Sequence, residues 1–136
     1  MSNSPPSHES LIDVENLTVQ LRRFADDRDW GQFHSPKNLA IALTGEVGEL
    51  VEVFQWMSEA DSLHAGSKPE LAHAIGEEMA DVLFYLVRLA DVLGIDLDLY
   101  RAAKAKLLVN AQKYPAEQSK GSSEKRYLAA KARGQS

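Results

Sequence analysis

The segment from Pro69 to Leu93 constrains the fold more than any other part of this chain. Leu71, Ile75, Met79, Val82 and Leu86 recur at helical spacing along one side of it, and Leu83, Val87 and Leu89 occupy other sides. A helix that is apolar nearly all round has to be buried nearly all round. One small chain cannot cover such a helix alone, so the pattern predicts a helical bundle completed by copies of itself. At 136 residues the chain fits one domain, with no room for a separate substrate domain.

The neighbouring segments read as helices as well. Leu11, Val14, Leu17, Leu21 and Phe24 follow steps of three and four, predicting a first helix over residues 11–28. Residues 29–34 interrupt the pattern as a loop. Ser35-Pro36 restarts it, a capping hydroxyl followed by a proline whose fixed φ suits the first helical turn. The second helix then runs to about Met57, a length of roughly 33 Å at the rise of an α-helix. After a polar loop over residues 58–68, Ser67 and Glu70 form a capping-box pattern for the third helix, which Gly94 stops. A fourth helix is expected from a cap at Asp96 to about Tyr114, closed by Pro115. No segment carries a strand signal. The expectation is an all-α, four-helix core over residues 10–115, with disordered tails at 1–9 and 116–136 and at most one helical turn at 127–132.

Bulk composition excludes several classes. There is no Cys, so neither disulfides nor thiolate metal sites can form. The longest apolar run, residues 82–87, is far too short to span a bilayer. The N-terminal MSNSPPSHES has no signal-peptide character, and a cytoplasmic location is expected. With 20 acidic against 15 basic residues and a net charge of -5, the chain is poorly suited to long nucleic acid. A single nucleotide remains possible, because a divalent cation can bridge acidic protein and acidic ligand.

That negative charge is concentrated where it is least expected. Glu46 and Glu49 stand three residues apart in the second helix, with Glu52 drifting around it, and Glu78 and Asp81 repeat the step in the third. Both pairs lie among Leu, Val, Ile, Phe and Met. Carboxylates set in apolar helices repel one another and are costly to bury without a cation. If the two helices fold back as a hairpin, four carboxylates meet, a donor set suited to Mg²⁺, which prefers oxygen ligands. Two solvated helix faces are the alternative. A ferritin-like di-iron site is disfavoured, because it needs Glu-x-x-His on two helices and only Glu70 and His73 have that spacing.

At these residues the chain resembles the all-α NTP pyrophosphohydrolase superfamily that includes MazG and the dimeric dUTPases. The family signature, E-x-x-E followed by E-x-x-D, stands here as Glu46, Glu49, Glu78 and Asp81. The dCTP pyrophosphatase branch is the most similar, through four segments: residues 28–34 (RDWGQFH), 45–50 (GEVGEL), 54–56 (FQW) and 110–115 (NAQKYP). The resemblance implies Mg²⁺-dependent cleavage between the α and β phosphates of dCTP or a modified dCTP, giving monophosphate and pyrophosphate. A broader housecleaning pyrophosphatase acting on damaged or non-standard triphosphates is the enzymatic alternative, and a helical interaction module the non-enzymatic one.

The resemblance also assigns roles. Glu46, Glu49, Glu78 and Asp81 would be metal ligands, with Glu49 the choice to orient the attacking water. Trp30 and Trp56, otherwise ordinary packing anchors, would sandwich the base. His34 would hydrogen-bond base or phosphate, against an alternative of packing at the helix entry. Tyr85, four residues beyond Asp81, would reach sugar or phosphate, or simply pack in the core. Lys106, Asn110, Lys113 and Tyr114 match the family's phosphate-contacting run. Leu21 stands where related sequences often carry a His. The family's assembly implies a homotetramer, a dimer of dimers with shared sites.

Overall fold

A computed structural model describes residues 13–95 and 99–121 of the chain. Among these residues all regular structure is helical: α1 (Val14–Asp26), α2 (Pro36–Phe54), α3 (Glu59–Ser62), α4 (Pro69–Val92), α5 (Leu99–Lys113) and α6 (Ala116–Ser119), with 3₁₀ turns at Trp30–Gln32 and Ala65–Ser67. The chain divides into two compact units, one reaching to Asp96 and one from Leu97 onward. The expected tails at 1–9 and beyond 121, the turn at 127–132 and the cap at Asp96 lie outside the described residues.

In the first unit the chain's local chemistry sets the boundaries. Asp13 caps α1 by accepting from the Asn16 amide at 3.0 Å. Ser35 caps α2 by accepting from the Asn38 amide at 3.2 Å, with Pro36 in the first turn as expected. The start of α4 corrects the capping-box expectation: Ser67 lies in the 3₁₀ turn and its hydroxyl donates back to the His64 carbonyl at 2.7 Å. Lys68 occupies the cap position of α4 and supplies no side-chain bond; Pro69, which has no N–H to satisfy, opens the helix. At the other end Gly94 has φ +75°, the left-handed conformation a terminating glycine adopts at little cost. The polar loop after α2 contains one turn of helix, α3, capped by Ser58.

Packing within this unit centres on α4, which lies against α2 most extensively and also against α1 and the Ala65–Ser67 turn. The α2–α4 pair is antiparallel: His34, just before α2, meets Arg88 late in α4, and Glu46, further along α2, meets Glu78 and Asp81 earlier in α4. The expected hairpin forms. Its sealed interior is small, with Ala25, Leu39, Ala65, Val87 and Ala90 buried. Thr18, buried among them, donates its hydroxyl to the Val14 carbonyl at 2.7 Å. Large apolar side chains are left in the open, including Ile41, Val47 and Val51 of α2 and Met79 and Leu86 of α4.

The second unit holds α5 and α6. α5 ends at Lys113, and Pro115 stands at the cap position of α6, so a short helix lies where the expectation placed only a tail. Leu107, Leu108 and Val109 of α5 are exposed in this unit. Among the described residues, no helix is long and apolar enough to cross a membrane.

Candidate active site

Five residues of α1 and four of α4 line most of one cavity of about 530 Å³ in the first unit; Leu17, Gln20, Leu21, Phe24 and Ala25 form its α1 wall, and Asp81, Phe84, Tyr85 and Arg88 its α4 wall. 

Trp30 and His34 close one side and Glu46 of α2 completes the lining. The walls are largely hydrocarbon and aromatic, and the polar groups are few. Such a cavity suits a flat, partly apolar ligand held by a handful of directed contacts.

The α4 wall follows from helical spacing. Glu78, Asp81, Tyr85 and Arg88 succeed one another by three, four and three residues, so they share one face of the helix. Opposite them, α2 presents Glu46 and Glu49. Carboxylate oxygens of Glu46, Glu49 and Glu78 lie within 4.8 Å of one another. Asp81 is not one of that trio, but its charge is felt by both Glu46 and Glu78. Burial, foremost, and then the Glu49 carboxylate push the carboxyls of Glu46 and Glu78 above the usual range, with smaller contributions from Asp81.

Two oxygens make the case for a cation. Oε2 of Glu46 and Oε2 of Glu78 are buried and have no hydrogen-bond partner. A buried carboxylate oxygen without a donor carries a desolvation cost that nothing in the chain offsets. Three converging carboxylates with two orphaned oxygens match the preference of a hard divalent cation for oxygen ligands. Glu52, in contrast, is exposed on α2, as are Glu70 and His73, and the latter pairs with Glu77 at 3.3 Å.

The aromatic side of the cavity is built at the 3₁₀ turn. Asp29 enters it with φ 53°, a left-handed conformation that Asp tolerates better than most residues. Gln32 braces the turn, its amide donating to the Asp29 carbonyl at 3.0 Å and to its carboxylate at 3.1 Å. Trp30 then stands edge-on to Phe24 at 5.6 Å and to His34 at 6.1 Å. The Arg28 guanidinium lies over the other aromatic partner, 3.5 Å from the Phe24 ring centre.

The structure therefore brings together Trp30, His34, Glu46, Asp81 and Tyr85 around one cavity, with Glu49 and Glu78 adjoining it. Trp56 is not among the lining residues. It follows the end of α2 and is 89% exposed. Lys106, Asn110, Lys113 and Tyr114 belong to the second unit, where Lys106, Asn110 and Lys113 are exposed and the Lys113 ammonium sits 5.5 Å from the Tyr114 ring. Sequence reasoning missed Phe24, Arg88 and Asp91. The last two were visible as charges inside an apolar helical run, and Arg88 as the next member of the Glu78–Asp81–Tyr85 face.

Residues 41–127 match the model of the MazG-like family. Over 113 residues the chain is 46% identical to dCTP pyrophosphatase 1 of Rattus norvegicus, covering 83% of this chain and 64% of that protein. It is 44% identical over 116 residues to dCTP pyrophosphatase 1 of Homo sapiens, covering 85% of this chain and 65% of that protein. The chain thus spans just under two thirds of the length of these curated relatives. A crystal structure of a pyrophosphatase from Archaeoglobus fulgidus superposes with a TM-score of 0.68 at 39% identity, covering 79% of this chain and 97% of that one.

Proposed function

Because the chain belongs to the MazG-like family, we propose that it is a Mg²⁺-dependent nucleoside triphosphate pyrophosphohydrolase that converts dCTP, or a modified dCTP, to the monophosphate and pyrophosphate. One observation carries this reading: the carboxylates of Glu46, Glu49 and Glu78 converge, two of their oxygens orphaned, at the margin of an apolar, aromatic-walled cavity. The activity of relatives named dCTP pyrophosphatase 1 supports the choice of nucleotide.

The parts divide the work by chemistry. The wall of Leu17, Leu21, Phe24 and Trp30 accepts a base, whose faces gain by leaving water against aromatic and aliphatic groups. Tyr85 offers a hydroxyl between that wall and the carboxylates. Glu46, Glu49, Glu78 and Asp81 would hold Mg²⁺, which when bound would neutralise the triphosphate and polarise the phosphoryl group under attack. Without a cation the same carboxylates repel a phosphate chain. Glu49, the most exposed of the trio, is the residue we assign to orient the attacking water. We assign Lys106, Asn110, Lys113 and Tyr114 to the phosphates, on the family's matching run.

We further propose a homotetramer arranged as a dimer of dimers. The exposed Ile41, Val47, Val51, Met79 and Leu86 support it, since apolar stripes of this kind on paired helices are ordinarily covered. Trp56, exposed and outside the cavity of its own chain, would reach the base in an assembly with shared sites. The reading carries a cytoplasmic location with it, where free triphosphates are made and used.

Incubation of the full chain with Mg²⁺ and a panel of nucleotides, with products resolved by chromatography, tests the proposal. Monophosphate and pyrophosphate, formed fastest from dCTP or a 5-substituted dCTP, are expected. Orthophosphate release, or no turnover of any triphosphate, would overturn it. Similar rates on many unrelated bases would favour the broader housecleaning enzyme.

A further inference from the structure

A chain of four side chains runs from α1 to the cavity. Arg22 of α1 grips Asp91 of α4, its Nε donating to Oδ2 at 3.1 Å and its terminal nitrogen to Oδ1. Arg88, one turn before Asp91, donates from its NH1 nitrogen to the same Oδ2 at 2.9 Å. The Arg88 Nε then donates to Nδ1 of His34 at 3.1 Å. Asp91 and Arg88 are both largely buried, with side chains 7% and 11% exposed. These contacts tie α1, α4 and the entry to α2 together at one place.

The last contact has a chemical consequence. A guanidinium carries donors only and stays charged, so the nitrogen that meets it must be an acceptor. Nδ1 of His34 is therefore unprotonated, and the proton of the neutral ring is on Nε2. Burial, then the Arg88 charge, hold the His34 pKa below its ordinary value, which keeps the ring neutral. The other charged or titratable groups lining the cavity are Glu46, Asp81 and Tyr85. Asp91, doubly gripped, is held below the usual carboxylate range mainly by Arg22 and keeps its charge opposite Arg88.

We propose that Arg88, seated by Asp91 and Arg22, is a positioning residue that fixes His34 as its Nε2–H tautomer, so that His34 offers a ligand in the cavity one hydrogen-bond donor and no acceptor. The group it takes is an uncharged acceptor on a nucleobase, a ring carbonyl or an unprotonated ring nitrogen. The base is favoured over a phosphate because His34 stands beside Trp30 on the aromatic wall and remains neutral. The identity of that ligand rests on the nucleotide reading above; the tautomer does not.

Long-range ¹H–¹⁵N spectra of the full-length protein read the tautomer directly. In the wild type, His34 is expected as Nε2–H with a pKa below 6.5. In Arg88→Met, Nδ1 loses its donor, so the spectrum should move to mixed tautomers and the pKa should rise. With dCTP, KM should rise about tenfold while kcat changes less than about twofold. Arg88→Lys, which keeps a donor and the ion pair, should recover part of the loss. His34→Gln, whose amide donor reaches about as far as Nε2, should keep KM within about threefold, and His34→Asn should not. If Arg88→Met does not fold, Asp91→Asn keeps the shape of that side chain and loosens Arg88, and the same spectral change is expected.

An Nδ1–H ring in the wild type overturns the proposal, as does an unchanged tautomer in a folded Arg88→Met. A tautomer change with unchanged KM overturns the ligand assignment. If no nucleotide binds but the spectrum changes as expected, the functional reading fails and the positioning role stands. If dCTP is hydrolysed but the tautomer is indifferent to Arg88, the reverse holds.

Discussion

Replacing Glu46 by Gln should make the metal-free protein more stable and the Mg²⁺-bound protein less so. Glu46, Glu49 and Glu78 converge to within 4.8 Å, and Glu46 has an orphaned buried oxygen. Two unit charges about 4 Å apart repel by roughly 1 kcal/mol even with the full screening of water, which is a lower bound for the half-buried Glu46. Glutamine keeps the shape and removes the repulsion. For a domain of roughly 60–100 residues, each kcal/mol moves Tm by about 4–8 °C. A melt in EDTA at pH 7 should therefore show Glu46→Gln several degrees above wild type.

Magnesium should erase that lead. A ligand at about a hundred times its Kd stabilises by roughly 2.7 kcal/mol, and a tenfold weaker site at the same concentration gains only about 1.4 kcal/mol. The difference cancels the variant's advantage, and a larger loss of affinity reverses it. The pH dependence has a definite sign. The carboxyls of Glu46 and Glu78 are raised in the fold, so the native state holds protons the unfolded chain has released, and stability falls as pH rises through the raised values. The advantage of Glu46→Gln in EDTA should grow from pH 5 to pH 7. A variant that melts below wild type in EDTA, or that gains as much from Mg²⁺, would refute the carboxylate cluster as a cation site.

Glu49→Gln and Asp81→Asn should each abolish pyrophosphate release yet leave the helical circular dichroism unchanged; turnover surviving in both would remove the metal assignment. Trp30→Ala should weaken nucleotide binding by about 1–3 kcal/mol through lost stacking, read as KM or by titration with a non-hydrolysable dCTP. Leu39→Ala, at one of the two largest fully buried side chains, should cost about 2–5 kcal/mol in denaturant unfolding, and a cost below 1 kcal/mol would mean the α2–α4 interior is not the core. Dilution should lower specific activity if sites are shared between subunits, and a fully active monomer in light scattering would refute the assembly.

The helices were legible wherever their signals are local. Ser35-Pro36 announced α2 and Gly94 ended α4 because a cap, a fixed φ and a left-handed glycine act within one turn. Ser67 misled for the same reason: its hydroxyl found the His64 carbonyl inside its own 3₁₀ turn, and Pro69 needs no cap for its missing N–H. The carboxylate cluster was legible because steps of three fix a helix face before any partner is known. The Arg22–Asp91 and Arg88–His34 contacts were not, since they join residues 69 and 54 positions apart and depend on how α1 and the turn at Trp30 settle on α4. Trp56 illustrates a different limit, because what covers an exposed aromatic is not written in its own helix.

A single face of α4 organises both ends of the cavity. Glu78 and Asp81 belong to the acidic margin, Tyr85 follows one turn later, and Arg88 reaches His34 on the aromatic wall. One rigid helix therefore sets the spacing between the aromatic wall proposed for a base and the carboxylates proposed for a cation. The opposing residues come from one continuous stretch, from Trp30 and His34 through Ser35-Pro36 into Glu46 and Glu49, so the antiparallel register of α2 on α4 aligns both ends at once. A slip of one turn, about 5.4 Å along the helix, would separate Arg88 from His34 and the carboxylates from one another together. The Arg88–His34 contact lies at one end of this register and the carboxylate cluster at the other. Loss of the Arg88–Asp91 pair should therefore disturb the base site before it disturbs the metal site: Asp91→Asn should raise KM for dCTP while leaving the Mg²⁺ dependence of kcat near that of wild type. A variant in which both change in parallel would show that α4 responds as a whole and that Arg88 has no separate role at the base.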